Sequence, residues 1–292
     1  MATTTPKAFD EFKALLLLTD TQKQLVAGRR TSTAGYLKDS FGSSSNMPLE
    51  RTALIGSAGR DVIIRPLDDI DVMAVFANKD NVFETYRHNS QAFLYRIRDA
   101  LSQYQVKIVG ARGQAVRLFY AQPPHVDIAP VFKWSGVDAG YALPDGKGGW
   151  LTTNPDKHEA YMAKRNMALS FHLKPLVRML KRWNRVHSKR LKSFHLEVIA
   201  ASIFSNLSSN SRDASVKFFE WAPNHLSVSD PAGHSGDLSL YLSWQQRQEV
   251  KTSFDSSADR ARRAIEAENR GDHQEAVRLW RIIYGDEFPA YD

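Results

Sequence analysis

The sequence of 292 residues contains no cysteine. That absence excludes disulfide bonds, thiolate zinc sites and cysteine nucleophiles, so a bound metal ion would need oxygen or imidazole ligands. The sequence also lacks a run of the roughly 20 uncharged apolar residues that a membrane-spanning helix requires. Residues 1–6 lack the charged-then-apolar pattern of a signal peptide. We therefore expect a soluble, cytoplasmic protein that does not contact a membrane.

Positive charge exceeds negative charge in this sequence. The formal net charge is +7 and the pI is about 9.5. A positive field concentrates phosphate-containing molecules near a protein, so nucleotides and nucleic acids are both candidate partners. A basic surface without such a partner explains the charge equally well.

The spacing of apolar residues divides the sequence into a β-rich part and a helical part. Short β-branched or aromatic runs predict strands at 53–55, 70–76, 106–109, 115–120 and 126–131. Helical spacing predicts helices at 9–18, 19–38, 83–103, 194–207 and 240–256, one long helix or two at 158–187, and one or two more at 257–284. The second of these helices starts with a capping box formed by Thr19 and Gln22. Residues 141–155 are rich in turn-forming residues and are predicted to be a long connection.

These elements predict an α+β protein with two domains. Residues 1–150 would contain N-terminal helices and a core with a mixed β-sheet. Residues 151–292 would form a mostly helical lobe. The turn-rich stretch before residue 155 marks the predicted boundary.

Two aspartates alternate at the start of a predicted strand. Successive side chains in a strand point to opposite faces, so Asp69 and Asp71 project from one face while Ile70 points to the other. Paired carboxylates repel each other unless a cation lies between them, and Mg²⁺ or Mn²⁺ suits such an oxygen site. An Asp-x-Asp pair alone is weak evidence, because solvated strand edges also contain it.

Two further segments strengthen the interpretation as a metal site. Gly56 and Ser57 follow a predicted strand at a turn where backbone N–H groups and a hydroxyl can approach a phosphate. Asp127 is an isolated acid in an apolar strand, and it would complete the cluster if that strand lies beside the first. Two metal ions held by Asp69, Asp71 and Asp127 could catalyse an in-line phosphoryl displacement. These aspartates are the predicted catalytic and metal-binding residues.

With these motifs the sequence resembles the DNA polymerase beta superfamily, and within it the bacterial CD-NTases, relatives of cyclic GMP-AMP synthase and oligoadenylate synthase. The similar segments are 56–57, Arg60, 64–72, 126–130, 180–184, 193–197, 230–232 and 284–289. The resemblance covers nearly the whole chain, from Phe9 to Pro289. It implies a polymerase-beta-like nucleotidyltransferase core plus an oligoadenylate-synthase-like helical lobe.

The resemblance also implies a set of nucleotide-binding residues: Gly56, Ser57, Arg60, Lys181, Ser193 and Asp230. Lys181 and Ser193 match positions that contact the triphosphate in the family, and Asp230 matches a region near the bases. The sequence departs from the family at Asp61 and Val62, where some relatives have glycine and many have threonine. The missing hydroxyl puts one phosphate contact in doubt and does not affect the metal site.

The function implied by the resemblance is metal-dependent synthesis of cyclic di- or trinucleotides from nucleoside triphosphates, with two Mg²⁺ or Mn²⁺ ions per site and release of pyrophosphate. The product would activate an effector in antiphage defence. One alternative is a transferase that nucleotidylates RNA ends or a protein. Another alternative is a non-catalytic module that binds nucleotide or RNA. The presence of all three acids, Asp69, Asp71 and Asp127, argues against that alternative.

A stripe of basic residues recurs at helical spacing: Lys174, Arg178, Lys181, Arg182, Arg185 and Lys189. We interpret most of them as a solvated helix face. Lys181 is the exception, because it falls within a family motif. An activating nucleic-acid surface is the alternative, but the sequence has no zinc-binding insertion, and we do not expect nucleic acid to be an activator.

Overall fold

The computed structural model describes residues 3–104, 108–134 and 140–292. Residues 106 and 107 of one predicted strand therefore lie outside the described residues. The chain forms two compact units. The sheet unit consists of Thr19–Arg60 and Pro66–Glu159, and the helical unit consists of Met1–Leu18, Asp61–Arg65 and Ala160–Asp292.

Helices and strands are mixed in the first half of the chain, and helices follow in the second half. Their bounds are α1 Thr5–Leu16, α2 Asp20–Ser40, β1 Leu49–Ile55, α3 Gly56–Gly59, β2 Asp69–Phe76, α4 Phe83–Tyr86, α5 Ser90–Leu101, β3 Ile108–Arg112, β4 Ala115–Phe119, β5 His125–Lys133, β6 Tyr141–Pro144, β7 Trp150–Thr153, α6 Pro155–Ala168, α7 Leu173–Val186, α8 Ser193–Ile203, α9 Ser211–Trp221, α10 Trp244–Asn269 and α11 His273–Tyr284. The capping box of Thr19 and Gln22 is confirmed at the start of α2. Among the described helices, none combines the length and apolar character needed to cross a lipid bilayer.

The described strands form one mixed sheet, as the sequence predicts. Their order is β1-β2-β5-β4-β3, and β6 and β7 extend the sheet from β5. β2 and β5 run parallel, whereas the other pairs described are antiparallel. The parallel pair lies in the interior of the sheet, where strands on both sides fix its register.

The two faces of this sheet differ in what they bury. One face packs against Phe93 of α5, whose ring centroid lies 5.7 Å from that of Phe76 and 4.7 Å from that of Phe132. On the other face, Met73 and Val131 belong to a second apolar cluster. That cluster covers the later part of β2 and β5 and leaves the beginning of both strands to polar side chains.

Residues 141–155 contain a β-hairpin, so their prediction as a long turn-rich connection is wrong. β6 pairs with β7 in antiparallel register along its whole length. Gly146 and Gly148 in the turn have φ values of 78° and 99°, which glycine adopts without strain. Asp145 Oδ1 accepts the backbone N–H of Lys147 at 2.7 Å. The glycine-rich run is therefore a tight hairpin turn.

The core of the helical unit surrounds Trp183 of α7. Its ring stacks on Phe254 of α10 with centroids 4.8 Å apart, and its Nε1–H donates to Ser257 Oγ at 2.8 Å. Ser257 lies inside α10, so the predicted helix break at 256–257 is wrong. The helix continues because Ser257 Oγ also donates to the Ser253 carbonyl at 2.8 Å, which satisfies a hydroxyl that would otherwise favour a turn.

Aromatic residues from the two ends of the chain pack together in the helical unit. Phe9 of α1 lies 4.9 Å from Trp280 and 5.1 Å from Phe288, and Phe12 lies 5.0 Å from Tyr284, measured between ring centroids. These contacts group α1 with the C-terminal helices rather than with the sheet. The division into domains 1–150 and 151–292 stays a prediction. Each compact unit is built from more than one stretch of the sequence, and these stretches alternate along the chain.

A buried histidine in the same unit should make stability depend on pH. His195 is 2% exposed; its Nε2 donates to the Leu226 carbonyl at 2.7 Å and its Nδ1 accepts from the Tyr241 hydroxyl at 3.1 Å. Burial is the main cause that lowers the pKa of His195 below its ordinary value of 6.5. As the pH falls below about 6.5, the unfolded chain binds a proton that folded His195 resists, so stability falls.

The expected result is that His195→Gln loses less stability than the wild-type protein when the pH is lowered from 7 to 5. Denaturant unfolding at each pH measures this difference. His88→Gln, which changes an exposed imidazole, is the control and should follow the wild-type slope. Equal slopes for all three proteins would contradict the prediction.

Candidate active site

Strand geometry places three aspartates on one face of the sheet. Asp69 and Asp71 alternate with buried Ile70 at the start of β2. Asp71 is directly opposite Asp127 in the parallel β2–β5 ladder, and residues paired in this way point to the same face. The structure thus brings together the three acids selected from the sequence. Their catalytic and metal-binding roles stay predictions.

An arginine that the sequence analysis did not select lies among these acids. Arg117 of β4 is opposite Asp127 in the antiparallel β4–β5 ladder. Its Nε donates to Asp127 Oδ1 at 2.5 Å, its Nη2 donates to Asp127 Oδ2, and the same Nη2 donates to Asp69 Oδ2 at 3.0 Å. Hydrogen bonding to Asp127 raises the pKa of the Arg117 guanidinium. The guanidinium is therefore a permanent cation that offsets part of the acidic charge.

The donor chemistry of this cluster fits a hard divalent cation, because its ligands are carboxylate oxygens. In the structure, Asp69 and Asp127 bind Arg117, while the Asp71 carboxylate lies next to Gly56. Within residues 3–104, 108–134 and 140–292, no three His, Cys, Asp or Glu side chains are grouped closely enough to hold a metal ion as they stand. A metal ion held by Asp69 and Asp127 would use the carboxylates that Arg117 contacts.

Gly56 provides the space that Asp71 occupies. Its φ is 62°, and a Cβ at this position would lie 2.1 Å from Asp71 Oδ2 and 2.9 Å from Asp71 Cγ. Gly59 is constrained in a similar way, since its Cβ would lie 2.6 Å from the Leu54 carbonyl oxygen. From the sequence, the approach of a phosphate accounts for glycine at position 56. The structure adds a reason within the protein, which is that a side chain here would displace a predicted metal ligand.

Ser57 and Arg60 lie on the short segment that begins with Gly56. Ser57 is the second residue of α3 and is half-buried. Arg60 follows α3, is 8% exposed and donates its backbone N–H to the Gly56 carbonyl at 3.2 Å. The segment leads directly from the end of β1, whose last residue Ile55 is paired with Asp71. Nucleotide binding by Gly56, Ser57 and Arg60 stays a prediction.

Basic residues of α7 bind the short segment Asp61–Arg65 within the helical unit. Their donors reach its backbone carbonyls: Arg178 to Asp61 at 2.8 Å, Lys181 to Val62 at 3.0 Å, and Arg185 to Arg65 at 2.9 Å. The prediction of a solvated helix face is wrong for Arg182, whose side chain is 13% exposed and donates to the Tyr284 carbonyl at 3.2 Å. It is also wrong for Arg178 and Arg185. The physical reason is that carbonyl groups of a segment outside helices and strands need donors from elsewhere.

Asp61 has a backbone conformation that glycine adopts more easily than other residues. Its φ is 56°, in the left-handed region that glycine adopts most easily. The aspartate is held by ion pairs instead, because its Oδ2 lies 3.3 Å from Arg178 Nη2 and 3.4 Å from Lys174 Nζ. Val62, the other departure from the family pattern, is completely buried.

Lys181 is buried beside an acid. The Lys181 and Glu197 side chains are 6% and 0% exposed, and Lys181 Nζ lies 3.8 Å from Glu197 Oε1. The Lys181 ammonium also donates a hydrogen bond to the Val62 carbonyl within the helical unit. The triphosphate contact implied by the family motif stays a prediction, and the described contacts give Lys181 a structural role.

We expect Lys181→Met to lower the free energy of unfolding by about 3 kcal/mol or more, because removing one partner of a buried ion pair leaves the other charge poorly compensated. Thermal and denaturant unfolding measure the loss. Lys217→Met changes an exposed lysine of α9 and should have little effect. If Lys181→Met matches that control in stability and raises the KM for nucleotide, the structural role is contradicted.

The remaining predicted nucleotide-binding residues also lie in the helical unit. Ser193 is exposed in the first turn of α8. Asp230 is 5% exposed, and its carboxylate accepts backbone N–H groups from Ala232 at 3.0 Å, His234 at 3.2 Å and Ser235 at 2.9 Å. These bonds shape the loop that follows Asp230. Contacts of Ser193 and Asp230 with nucleotide stay predictions.

Comparison with known proteins identifies the family. The family model for the Second Messenger Oligonucleotide or Dinucleotide Synthetase domain (SMODS) matches residues 3–166. The chain is 28% identical to the "Probable cyclic nucleotide synthase" of Bacillus cereus, with 100% of both chains covered. It is also 28% identical to the cyclic AMP-AMP-AMP synthase of an Acinetobacter strain, over 82% of this chain and 72% of that protein.

Solved structures of similar proteins share the fold. Escherichia coli CdnC with ATP has a TM-score of 0.79 at 19% identity, with 97% of this chain and 98% of that chain covered. The Vibrio cholerae cyclic AMP-GMP synthase DncV has a TM-score of 0.76 at 14% identity, with 96% and 97% covered. They confirm the α+β fold with a polymerase-beta-like core and a helical lobe. Because the SMODS model covers more than half of the sequence, the chain belongs to the SMODS family and is a bacterial CD-NTase, a nucleotidyltransferase that makes oligonucleotide second messengers.

Proposed function

We propose that this chain makes a cyclic trinucleotide, built mainly from ATP, by repeated phosphodiester formation with release of pyrophosphate. The observation that carries nucleotidyl transfer is the pairing of Asp71 with Asp127 on the sheet face that also carries Asp69. The choice of product is supported by three relatives. Two are cyclic AMP-AMP-AMP synthases, from Acinetobacter and E. coli, and one is a cyclic AMP-AMP-GMP synthase from Enterobacter hormaechei.

In this proposal Asp69, Asp71 and Asp127 would hold two Mg²⁺ or Mn²⁺ ions. CD-NTases are generally metal-dependent, and the bound ions would favour ionisation of the attacking hydroxyl and neutralise charge on the departing pyrophosphate. The protein's own contribution is positional. The β2–β5 ladder keeps Asp71 and Asp127 side by side, and Gly56 leaves the space in which the Asp71 carboxylate lies.

The proposed nucleotide contacts fall into two groups. Ser57 and Arg60, in the segment that follows β1, would contact phosphate in the sheet unit. In the helical unit, the proposed contacts are Lys181, Ser193 and Asp230, as the family motifs imply. Ser193 supports this assignment because its hydroxyl is exposed in the first turn of α8. Lys181 and Asp230 would act there in addition to their internal bonds.

Incubation of the purified protein with the four nucleoside triphosphates and Mg²⁺ or Mn²⁺ tests the proposal. We expect pyrophosphate release and a phosphatase-resistant product whose mass is that of a cyclic trinucleotide, formed from ATP with or without GTP. A cyclic dinucleotide would correct the ring size but keep the reaction. Labelling of RNA or protein alone, or binding without pyrophosphate release, would overturn the proposal in favour of a macromolecular transferase or a non-catalytic module.

We further propose that the product acts on a separate effector protein in antiphage defence. The family description supports this role, since a second messenger requires a receptor. Nucleic acid is not proposed as an activator, because the arginines at 178 and 185 of the basic stripe on α7 bind the Asp61–Arg65 segment. Adding double-stranded DNA or RNA to the synthesis reaction should therefore leave its rate unchanged.

A further inference from the structure

The Arg117 guanidinium lies at the point where two carboxylates of the candidate active site meet. It forms a bidentate contact with Asp127 through Nε and Nη2, and Nη2 also donates to Asp69 Oδ2 at 3.0 Å. Strand register makes this placement a property of the fold. Arg117 is paired with Asp127 across β4 and β5, and Asp127 is paired with Asp71 across β5 and β2.

A guanidinium and a divalent cation bind the same oxygens of a carboxylate. Arginine satisfies carboxylates through directed N–H donors, whereas Mg²⁺ or Mn²⁺ coordinates the oxygens directly at a shorter distance. Each Asp127 oxygen accepts a bond from Arg117, and one Asp69 oxygen does so. A metal ion bound to Asp69 and Asp127 would therefore use carboxylates whose oxygens Arg117 already contacts.

The exposure of these side chains allows such an exchange. Relative exposure is 32% for Arg117, 19% for Asp127 and 46% for Asp69. The residues that flank Arg117 in β4, Val116 and Leu118, are completely buried and hold the backbone in place. The long Arg117 side chain can thus leave the acids by rotation about its own bonds while β4 keeps its position in the sheet.

We propose that Arg117 is a built-in competitor of the catalytic metal ions, so that these ions bind only when its guanidinium releases Asp69 and Asp127. This inference rests on the proposed metal-dependent function. Arg117 holds Asp69 and Asp127 together through its hydrogen bonds before an ion arrives, at the cost of weaker metal affinity. Displacement by the ion leaves a flexible cation at the edge of the site.

Binding of Mn²⁺ to nucleotide-free protein, followed by electron paramagnetic resonance, tests this competition without measuring activity. Removing a charge-assisted contact of this kind should tighten Mn²⁺ binding by about tenfold in Arg117→Gln. Arg117→Lys, which keeps the charge but loses the bidentate geometry, should show a smaller gain in Mn²⁺ affinity. It also provides a second variant if Arg117→Gln does not fold.

The matched control is Arg98→Gln, which removes an arginine paired with Asp99 on α5 and changes the net charge equally. Its Mn²⁺ affinity should equal that of the wild-type protein. Unchanged or weaker binding in both Arg117 variants would overturn the proposal, as would equal tightening in Arg98→Gln. Asp71→Asn distinguishes failure of the proposed metal site from failure of the proposed competition by Arg117. If it leaves Mn²⁺ binding intact, the metal site of the proposed function fails, and if it weakens binding while Arg117 variants do nothing, the competition alone fails.

Discussion

Combining Asp69→Asn with Asp71→Asn should abolish pyrophosphate release while leaving the protein folded. Asparagine has nearly the same shape but no charge, so the site loses its anionic ligands for divalent ions. Metal ions contribute several kcal/mol to the transition state of phosphoryl transfer, and every ~1.4 kcal/mol is a factor of ten, so we expect a loss of about 10³-fold or more. A coupled pyrophosphate assay measures the rate. Arg117 retains its bonds to Asp127, so the melting temperature should change little.

Asp68→Asn is the matched control for this experiment. Asp68 is exposed and immediately precedes Asp69, so its replacement makes the same chemical change one position outside the predicted cluster. We expect nearly wild-type turnover from this variant. Retained turnover in the double variant, with product confirmed by mass spectrometry, would remove Asp69 and Asp71 from the mechanism.

Gly56→Ala should have the second largest effect. The new Cβ would lie 2.1 Å from Asp71 Oδ2, and the residue would have to keep a φ of 62°. The clash can be relieved only by moving Asp71 or the segment that carries Ser57. A displacement on the order of 1 Å in a catalytic arrangement can cost about 10²-fold in rate. We expect at least that loss in kcat, and a lower unfolding free energy by about 1–2 kcal/mol from the backbone strain.

Gly35→Ala tests whether this effect depends on position. Gly35 lies inside α2, where an added Cβ would meet no other described atom within 4 Å. Alanine favours a helix over glycine by roughly 0.5–1 kcal/mol, so this variant should be slightly more stable and equally active. Activity of Gly56→Ala close to that of Gly35→Ala would show that Asp71 tolerates the added methyl group.

The sequence predicts those parts of the fold that depend on local patterns. The capping box at Thr19 specifies where α2 begins, and alternation places Asp69 and Asp71 on the same face. Both depend on residues within a few positions of each other. The proximity of Asp127 depends instead on which strands pair. Local patterns do not specify the β2–β5 ladder, whereas the family resemblance implies that these acids belong to one site.

The features that sequence analysis missed depend on partners far apart in the chain. In the sequence, Arg117 is an ordinary polar residue in a short predicted strand. Its contact with Asp127 depends on the pairing of β4 with β5, which the sequence pattern does not specify. A helix boundary is predicted at Ser257, whereas in the structure its hydroxyl bonds with Trp183 and Ser253 and the helix continues. Helix α9 was not predicted at all, although the Asn210 side chain caps its first turn by accepting the Arg212 N–H at 3.1 Å.

The assignment of Asp61–Arg65 to the helical unit limits how this protein can be dissected. Val62 and Ile64 are completely buried in the same apolar cluster as Phe9 and Phe12, which precede the sheet unit in sequence. A fragment that starts after residue 159 would lack all four side chains and expose the surfaces that they cover. Truncation, split-protein reconstitution and circular permutation must therefore retain three separate stretches of polypeptide to recover a stable helical unit.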